Sequence, residues 1–269
     1  MGAVDVRLMV IDGLAIDQWV VARQGLSARL WSAEDGAVFA WVPTLTAVSR
    51  QSIFAGDPPF YFASSIGTTQ KEPQLWSRFW GDRRLRRSEV AYVCRKSQEH
   101  DDFLARVRAG VAHGKCRVAG IDVGTVDQML HGTVTGTDGL HASVRHWAQR
   151  GSLWSLVDML VDAGFEVYLT ADHGNIEEKG SASPTSECAL TRRGERAHVF
   201  RDDATRTDIA SPLSGLYSLG FDRVAGRLSC LDSPPQRRAF IAEGKRTVAH
   251  GGISLEEVVV PFVRIVERA

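Results

Sequence analysis

Short apolar, β-branched runs alternate along this chain with stretches of helical spacing. Val4 to Ile11 is the first such run, and it stops at Asp12-Gly13. Similar runs predict strands over 88–94, 116–123 and 165–169, with shorter ones over 197–200 and 238–242. Helices are predicted over 15–22 and 101–109. A long one is predicted over 138–162, where Val144, Trp147, Leu153, Leu156 and Leu160 recur at near-helical spacing. Ser27 to Trp41 predicts a strand pair about a Glu34-Asp35-Gly36 turn. Pro43 then stops the strand, and a hydroxyl residue opens a helix that ends at Gly56, with Pro58 and Pro59 beyond it. Lys179 to Arg196 is rich in Gly, Ser and Thr and predicts a mobile loop, and Asp208 to Leu219 reads as irregular. Ser254 and Glu257 have the spacing of a capping box. Val258 to Val266 closes the chain as a strand in which Pro261 favours an edge position or a bulge.

One segment departs from this alternation. Asp57 to Arg87 carries Phe60, Tyr61, Phe62, Trp76, Phe79 and Trp80 and ends in Arg83, Arg84, Arg86 and Arg87. Two readings stay open for it. Its rings pack a small local core, or it forms a cap whose rings and arginines hold a substrate.

With 269 residues the chain has room for one large α/β domain or two small ones. A formal net charge of +0 implies no global pull on nucleic acid or anionic membrane. No apolar run is long enough to span a bilayer. The start lacks the basic region and apolar core of a signal peptide. A strand that begins as early as Val4 is what the C-terminal part of a longer protein would present. Cys94, Cys116, Cys188 and Cys230 are scattered and form no CxxC, so they are expected to be reduced in a cytoplasmic protein.

The chemistry concentrates where strands end, the usual ligand side of an open α/β sheet. Thr170-Ala171-Asp172-His173-Gly174-Asn175 follows a strand, and Asp12 ends another. Asp127 and His131 stand four apart, on one face of a helical turn. His250 precedes two glycines, and Thr44 and Thr46 flank a helix start whose N–H groups suit a phosphate. Asp and His are good ligands for zinc-type cations, so these positions are candidates for a two-metal set. His100, His113, His141, His146 and His198 match no such pattern and are expected on the surface or in packing.

Taken in order, these segments resemble the PglZ domain, a branch of the alkaline phosphatase superfamily. The resemblance rests on Val10-Ile11-Asp12-Gly13, Val42 to Gln51, Val126 to His131, Leu169 to Gly174 and His250 to Glu257, so it covers essentially the whole chain. Gly67 to Trp80, with Lys71, Glu72 and Trp76, is similar to an aromatic insertion common in that branch. The resemblance implies one alkaline-phosphatase-like α/β domain over residues 1–269. A central, mostly parallel sheet flanked by helices would carry a cap-like insertion at 57–87. It also implies how the ligands divide. One divalent ion, zinc or manganese, would be held by Asp12, the nucleophile hydroxyl, Asp172 and His173. The other would be held by Asp127, His131 and His250. The superfamily's Pro-x-x-Thr pattern points to Thr46 as nucleophile, with Thr44 the second choice. Arg50, one turn on, is read either as a contact to phosphoryl oxygens or as a surface residue. Asp122 and Asn175 are candidates for the surrounding layer. A threonine at the nucleophile position sets sulfatases aside, and the length and the threonine set aside metal-dependent phosphoglycerate mutases.

PglZ proteins belong to BREX-type phage-defence systems. The implied function is a metal-dependent phosphodiesterase or nuclease in such a system. Its partners would be phosphate-ester or oligonucleotide substrates and other BREX proteins. The alternative is a scaffold or sensor subunit that keeps the metal pocket.

Overall fold

A computed structural model describes residues 5–26, 30–94, 100–111, 114–133, 135–180, 196–200, 217–220, 230–233 and 237–267. At the centre lies a six-stranded sheet in the order β2 (Leu30–Phe39), β12 (Val259–Glu267), β5 (Glu166–Thr170), β1 (Val6–Ile11), β4 (Val118–Val123) and β3 (Val90–Cys94). β1 runs parallel to β4 and β5, and β4 parallel to β3. Among the described strands of this sheet only β12 runs the opposite way, antiparallel to both β2 and β5. The parallel strands are apolar almost throughout because helices cover both faces. On one face Met9, Ile11, Ile121 and Leu169 meet α1 (Ile16–Ala22), α4 (His100–Val111), α5 (Thr125–Gly132), α6 (Gly136–Gln149) and α7 (Ser152–Asp162). On the other, Val10 and Val118 meet Phe54 of α2 (Thr46–Ala55) and Trp76 of α3 (Glu72–Asp82). No helix among the described residues is long and apolar enough to cross a membrane.

A second sheet, β10 (Arg238–Ala239), β6 (Ile176–Gly180) and β11 (Arg246–Ala249), bears directly on the site. β11 pairs antiparallel with β6, and Ala249 stands opposite Ile176. His250 follows the first of these residues, and His173 to Asn175 precede the second. One ladder pair thus brings the two histidine loops together. A third sheet orders β7 (His198–Phe200), β9 (Cys230–Ser233) and β8 (Tyr217–Gly220).

Several expectations need correction. Residues 30–39 form one strand, not a hairpin, because β12 offers a continuous antiparallel partner and Gly36 lies within that ladder opposite Phe262. The long helix over 138–162 breaks into α6 and α7 at Gly151, whose φ of +78° a helix cannot continue. β12 is an inner strand despite Pro261. Its ladder to β5 begins only at Phe262, so the missing N–H interrupts nothing there. Lys179 and Gly180 complete β6, and residues 181–195 of the expected loop lie outside the described residues. Tyr217–Gly220 is a strand, and 208–216 also lies outside.

The 57–87 segment divides. Phe62 and Trp76 are buried, and Trp76 packs edge-on against Phe54 while its indole N–H donates to Ala91 O at 2.9 Å. These rings serve a local core and cannot stack bases. Phe60 and Tyr61 stay exposed, as do the four arginines.

Candidate metal centre

Among the described residues two clusters of ligand-type atoms stand side by side, the first beyond the carboxyl ends of β1 and β5, the second on α5 after β4 and at the residue after β11. Asp12, Asp172 and His173 form one and are all buried. Asp127, His131 and His250 form the other, in which only His250 is buried. Within each cluster the ligand atoms lie within 4.8 Å of one another. The second cluster therefore faces solvent and the first lies beneath it.

Backbone geometry fixes the first cluster. Asp12 leaves β1 with its N–H on Val123 O, and Gly13 N–H donates to Asp172 Oδ1 at 3.0 Å. Asn175 Nδ2 donates to Gly13 O, and its amide pairs with that of Gln18. Gly174 has no room for a side chain, since a Cβ there would meet Glu256 O at 2.0 Å. His173 Nδ1 stands 2.9 Å from Gly174 O. A carbonyl only accepts, so Nδ1 carries the proton and Nε2 the lone pair. That lone pair lies 3.1 Å from Thr46 Oγ1, and 3.7 Å from both Asp12 Oδ1 and Asp172 Oδ2.

The second cluster obeys the same logic. α5 places Asp127 and His131 one turn apart, and Asp127 N–H donates to Asp12 O. His131 Nε2 is 3.2 Å from Asp127 Oδ1. His250 Nδ1 lies 2.8 Å from Thr44 O, which fixes its proton there and leaves Nε2 as a lone pair. Thr44 itself is fully buried, donating to Gly252 O and accepting from Gly251 N–H, both at 2.9 Å.

Asp12 Oδ1, Asp172 Oδ2 and His250 Nε2 are buried and have no hydrogen-bond partner. A buried orphan of this kind costs about 1–3 kcal/mol. Three in one pocket, all ligand-type and none a donor, fit divalent cations. Electrostatics agree. Burial and the neighbouring Asp12 push the Asp172 carboxyl well above the usual range. Burial also raises Asp122, although Arg50 beside it works the other way. A cation would relieve both. Burial pushes Asp127 upward too, but His131, His250 and His173 more than offset it and hold the carboxyl low.

The structure brings together Asp12, Thr46, Asp127, His131, Asp172, His173 and His250. Arg50 does not lie on the surface. It is buried, and its guanidinium is taken up by carboxylates. NH1 donates to Asp12 Oδ2 at 2.6 Å and Asp122 Oδ1 at 3.1 Å, and Nε to Glu72 Oε1 at 2.9 Å. Glu72 in turn accepts from Tyr92 OH at 2.6 Å.

In the sequence Glu72 stands only as one residue of an aromatic insertion. Its signal was available: a glutamate on the same helical stripe as Leu75, Trp76 and Phe79. The sequence marks Glu257 only as a capping residue. It does cap Ser254, yet its Oε1 also accepts from Gly252 N–H and Arg196 Nε. Arg196 bonds Glu178 as well, at 2.6 Å. Of the other histidines, His141 pairs with Asp17 and His146 lies exposed on α6.

A fold with these strand-end clusters defines an alkaline phosphatase-like domain. Residues 2–265 match the family described as the BREX system PglZ alkaline phosphatase-like domain, and the chain belongs to that family. No curated protein matches it in sequence. Among solved structures it is similar to human ectonucleotide pyrophosphatase/phosphodiesterase 5, with a TM-score of 0.72 at 11% identity, covering 97% of this chain and 87% of that one. An inactive variant of the murine counterpart in complex with AMP gives a TM-score of 0.65 at 10% identity, covering 97% and 87%. Phosphonoacetate hydrolase from Sinorhizobium meliloti, in complex with phosphonoacetate, gives 0.60 at 14%, covering 97% and 90%. At these identities the likeness is one of fold.

Proposed function

We propose that this chain is a two-metal phosphoesterase with Thr46 as nucleophile, acting on phosphodiesters, oligonucleotides included, within a BREX-type phage-defence system. The observation that carries the reading is the position of the Thr46 hydroxyl. It opens α2, where the helix dipole is positive, and it points at the lone pair of His173 among the orphaned oxygens of Asp12 and Asp172. Thr44, by contrast, has both hydrogen-bonding roles of its hydroxyl occupied by backbone.

Asp12, Thr46, Asp172 and His173 would hold one divalent cation, zinc or manganese, and Asp127, His131 and His250 the other. Bound there, the ions would lower the hydroxyl pKa and offset charge on the attacking and leaving oxygens. Thr46 Oγ attacks phosphorus as its proton passes to solvent. The bond to the leaving oxygen breaks, and that oxygen takes a proton from water. A second water then cleaves the phosphothreonine, restoring the hydroxyl and releasing a phosphate monoester. Arg50 fixes Asp12 by donating to its Oδ2 at 2.6 Å. The AMP held by the murine structure suits a nucleotide-containing substrate.

The test is hydrolysis of bis(p-nitrophenyl) phosphate and of a single-stranded oligonucleotide by zinc- or manganese-loaded protein. Metal-dependent turnover lost in Thr46→Ala supports the reading. Stoichiometric metal with no turnover on either substrate would favour a scaffold or sensor that keeps the pocket.

A further inference from the structure

From the chain of contacts Tyr92–Glu72–Arg50–Asp12 we infer that Glu72 is a positioning residue for the buried metal site, wiring the 57–87 segment to one ligand oxygen. The inference rests on the metal reading above. Asp12 has two oxygens with different fates. Oδ2 accepts from Arg50 NH1 at 2.6 Å, whereas Oδ1 has no hydrogen bond and lies 3.7 Å from His173 Nε2. Arg50 thereby decides which oxygen is presented.

The guanidinium does not hold itself in place. One edge is shared between Asp12 and Asp122, and the other is held only through Nε by Glu72 Oε1. Glu72 is 2% exposed, and its second oxygen is held by Tyr92 OH on β3. A planar guanidinium bonded along two edges has a fixed orientation, whereas one bonded along a single edge pivots. Three buried carboxylates around one arginine also form an arrangement too costly to serve packing alone. Outer partners of a ligating carboxylate typically change metal affinity by about 10–100-fold.

The experiment measures zinc affinity by chelator competition, with no substrate present. Two backgrounds isolate the sites: Asp127→Asn leaves the Asp12 cluster intact, and Asp172→Asn leaves the His250 cluster. Glu72→Gln, a near isostere, is added to each, and Tyr92→Phe serves as a milder second variant. In the Asp127→Asn background Glu72→Gln weakens zinc about tenfold, and Tyr92→Phe weakens it less in the same direction. In the Asp172→Asn background neither has an effect. Equal affinities with and without Glu72→Gln in the first background would overturn the inference, as would equal losses in both. Zinc that binds to neither background nor wild type would instead remove the metal reading itself.

Discussion

The imidazole rings of His173 and His250 lie stacked, with centroids 3.9 Å apart and planes 10° from parallel. Each belongs to a different ligand cluster. Each donates its Nδ1 proton to a backbone carbonyl, Gly174 O and Thr44 O respectively. With a proton on each Nδ1, the Nε2 atoms of both rings are left facing the clusters. The pair is the shared wall of two adjacent sites, and it originates in the β6–β11 ladder.

Metal content follows from that geometry. Purified protein is expected to bind two equivalents of zinc, by elemental analysis and calorimetry. Asp127→Asn and Asp172→Asn should each retain one. A single equivalent in wild type, abolished by either substitution alone, would show one shared site.

The two threonines separate cleanly. Thr46→Ala is expected to lower phosphodiester turnover on the order of 10⁴-fold. Its unfolding midpoint should shift little, since loss of this first-turn hydroxyl removes no backbone bond. Thr44→Ala should instead cost about 1–3 kcal/mol, because Gly251 N–H is left buried and unpaired. Loss of turnover confined to Thr44→Ala would reassign the nucleophile.

Much of this site is legible in the sequence because its residues follow strands. Asp12, Asp172 and His173 stand at the ends of apolar runs, and Asp127 and His131 share a helical turn. What the sequence hides is long-range partnership. Nothing local says that Arg50 turns inward, because its burial depends on Glu72, Asp122 and Asp12 from three other elements. The single strand 30–39 is hidden for the same reason. Its Glu-Asp-Gly run is locally a turn signal, and a nine-residue partner strand overrides it.

Acid should weaken the metal-free protein through His250. Burial, with His173 beside it, lowers this imidazole to about 4. An unfolded histidine titrates near about 6.5. Between these values the unfolded chain holds more protons, so stability is kept above pH ~6.5 and lost as pH falls toward ~4. The window corresponds to about 3 kcal/mol. The raised carboxyls of Asp122 and Asp172 oppose this slope, so the comparison needs a variant that keeps them. Urea unfolding of chelated His250→Gln should show a flatter fall with acid than wild type. Parallel curves would mean that His250 protonates freely in the folded state.

The 57–87 segment poses the last question, whether its exposed half meets substrate. Its buried half is accounted for by Phe54, Trp76 and Tyr92. Phe60 and Tyr61 remain exposed, with ring centroids 4.4 Å apart. Arg83 lies over the Phe79 ring, and Arg84, Arg86 and Arg87 are exposed beside it. Exposed rings stack bases without sequence preference, and arginines displace the counterions of a single strand. Changing the four arginines to serine should weaken oligonucleotide cleavage. It should also reduce the slope of affinity against log salt by up to about 3. A small chromogenic diester needs only the metals and Thr46, so its turnover should be spared. Equal loss on both substrates would mean that the arginines support the fold. No loss on either would make them a solvated surface and leave the metal centre to act without a cap.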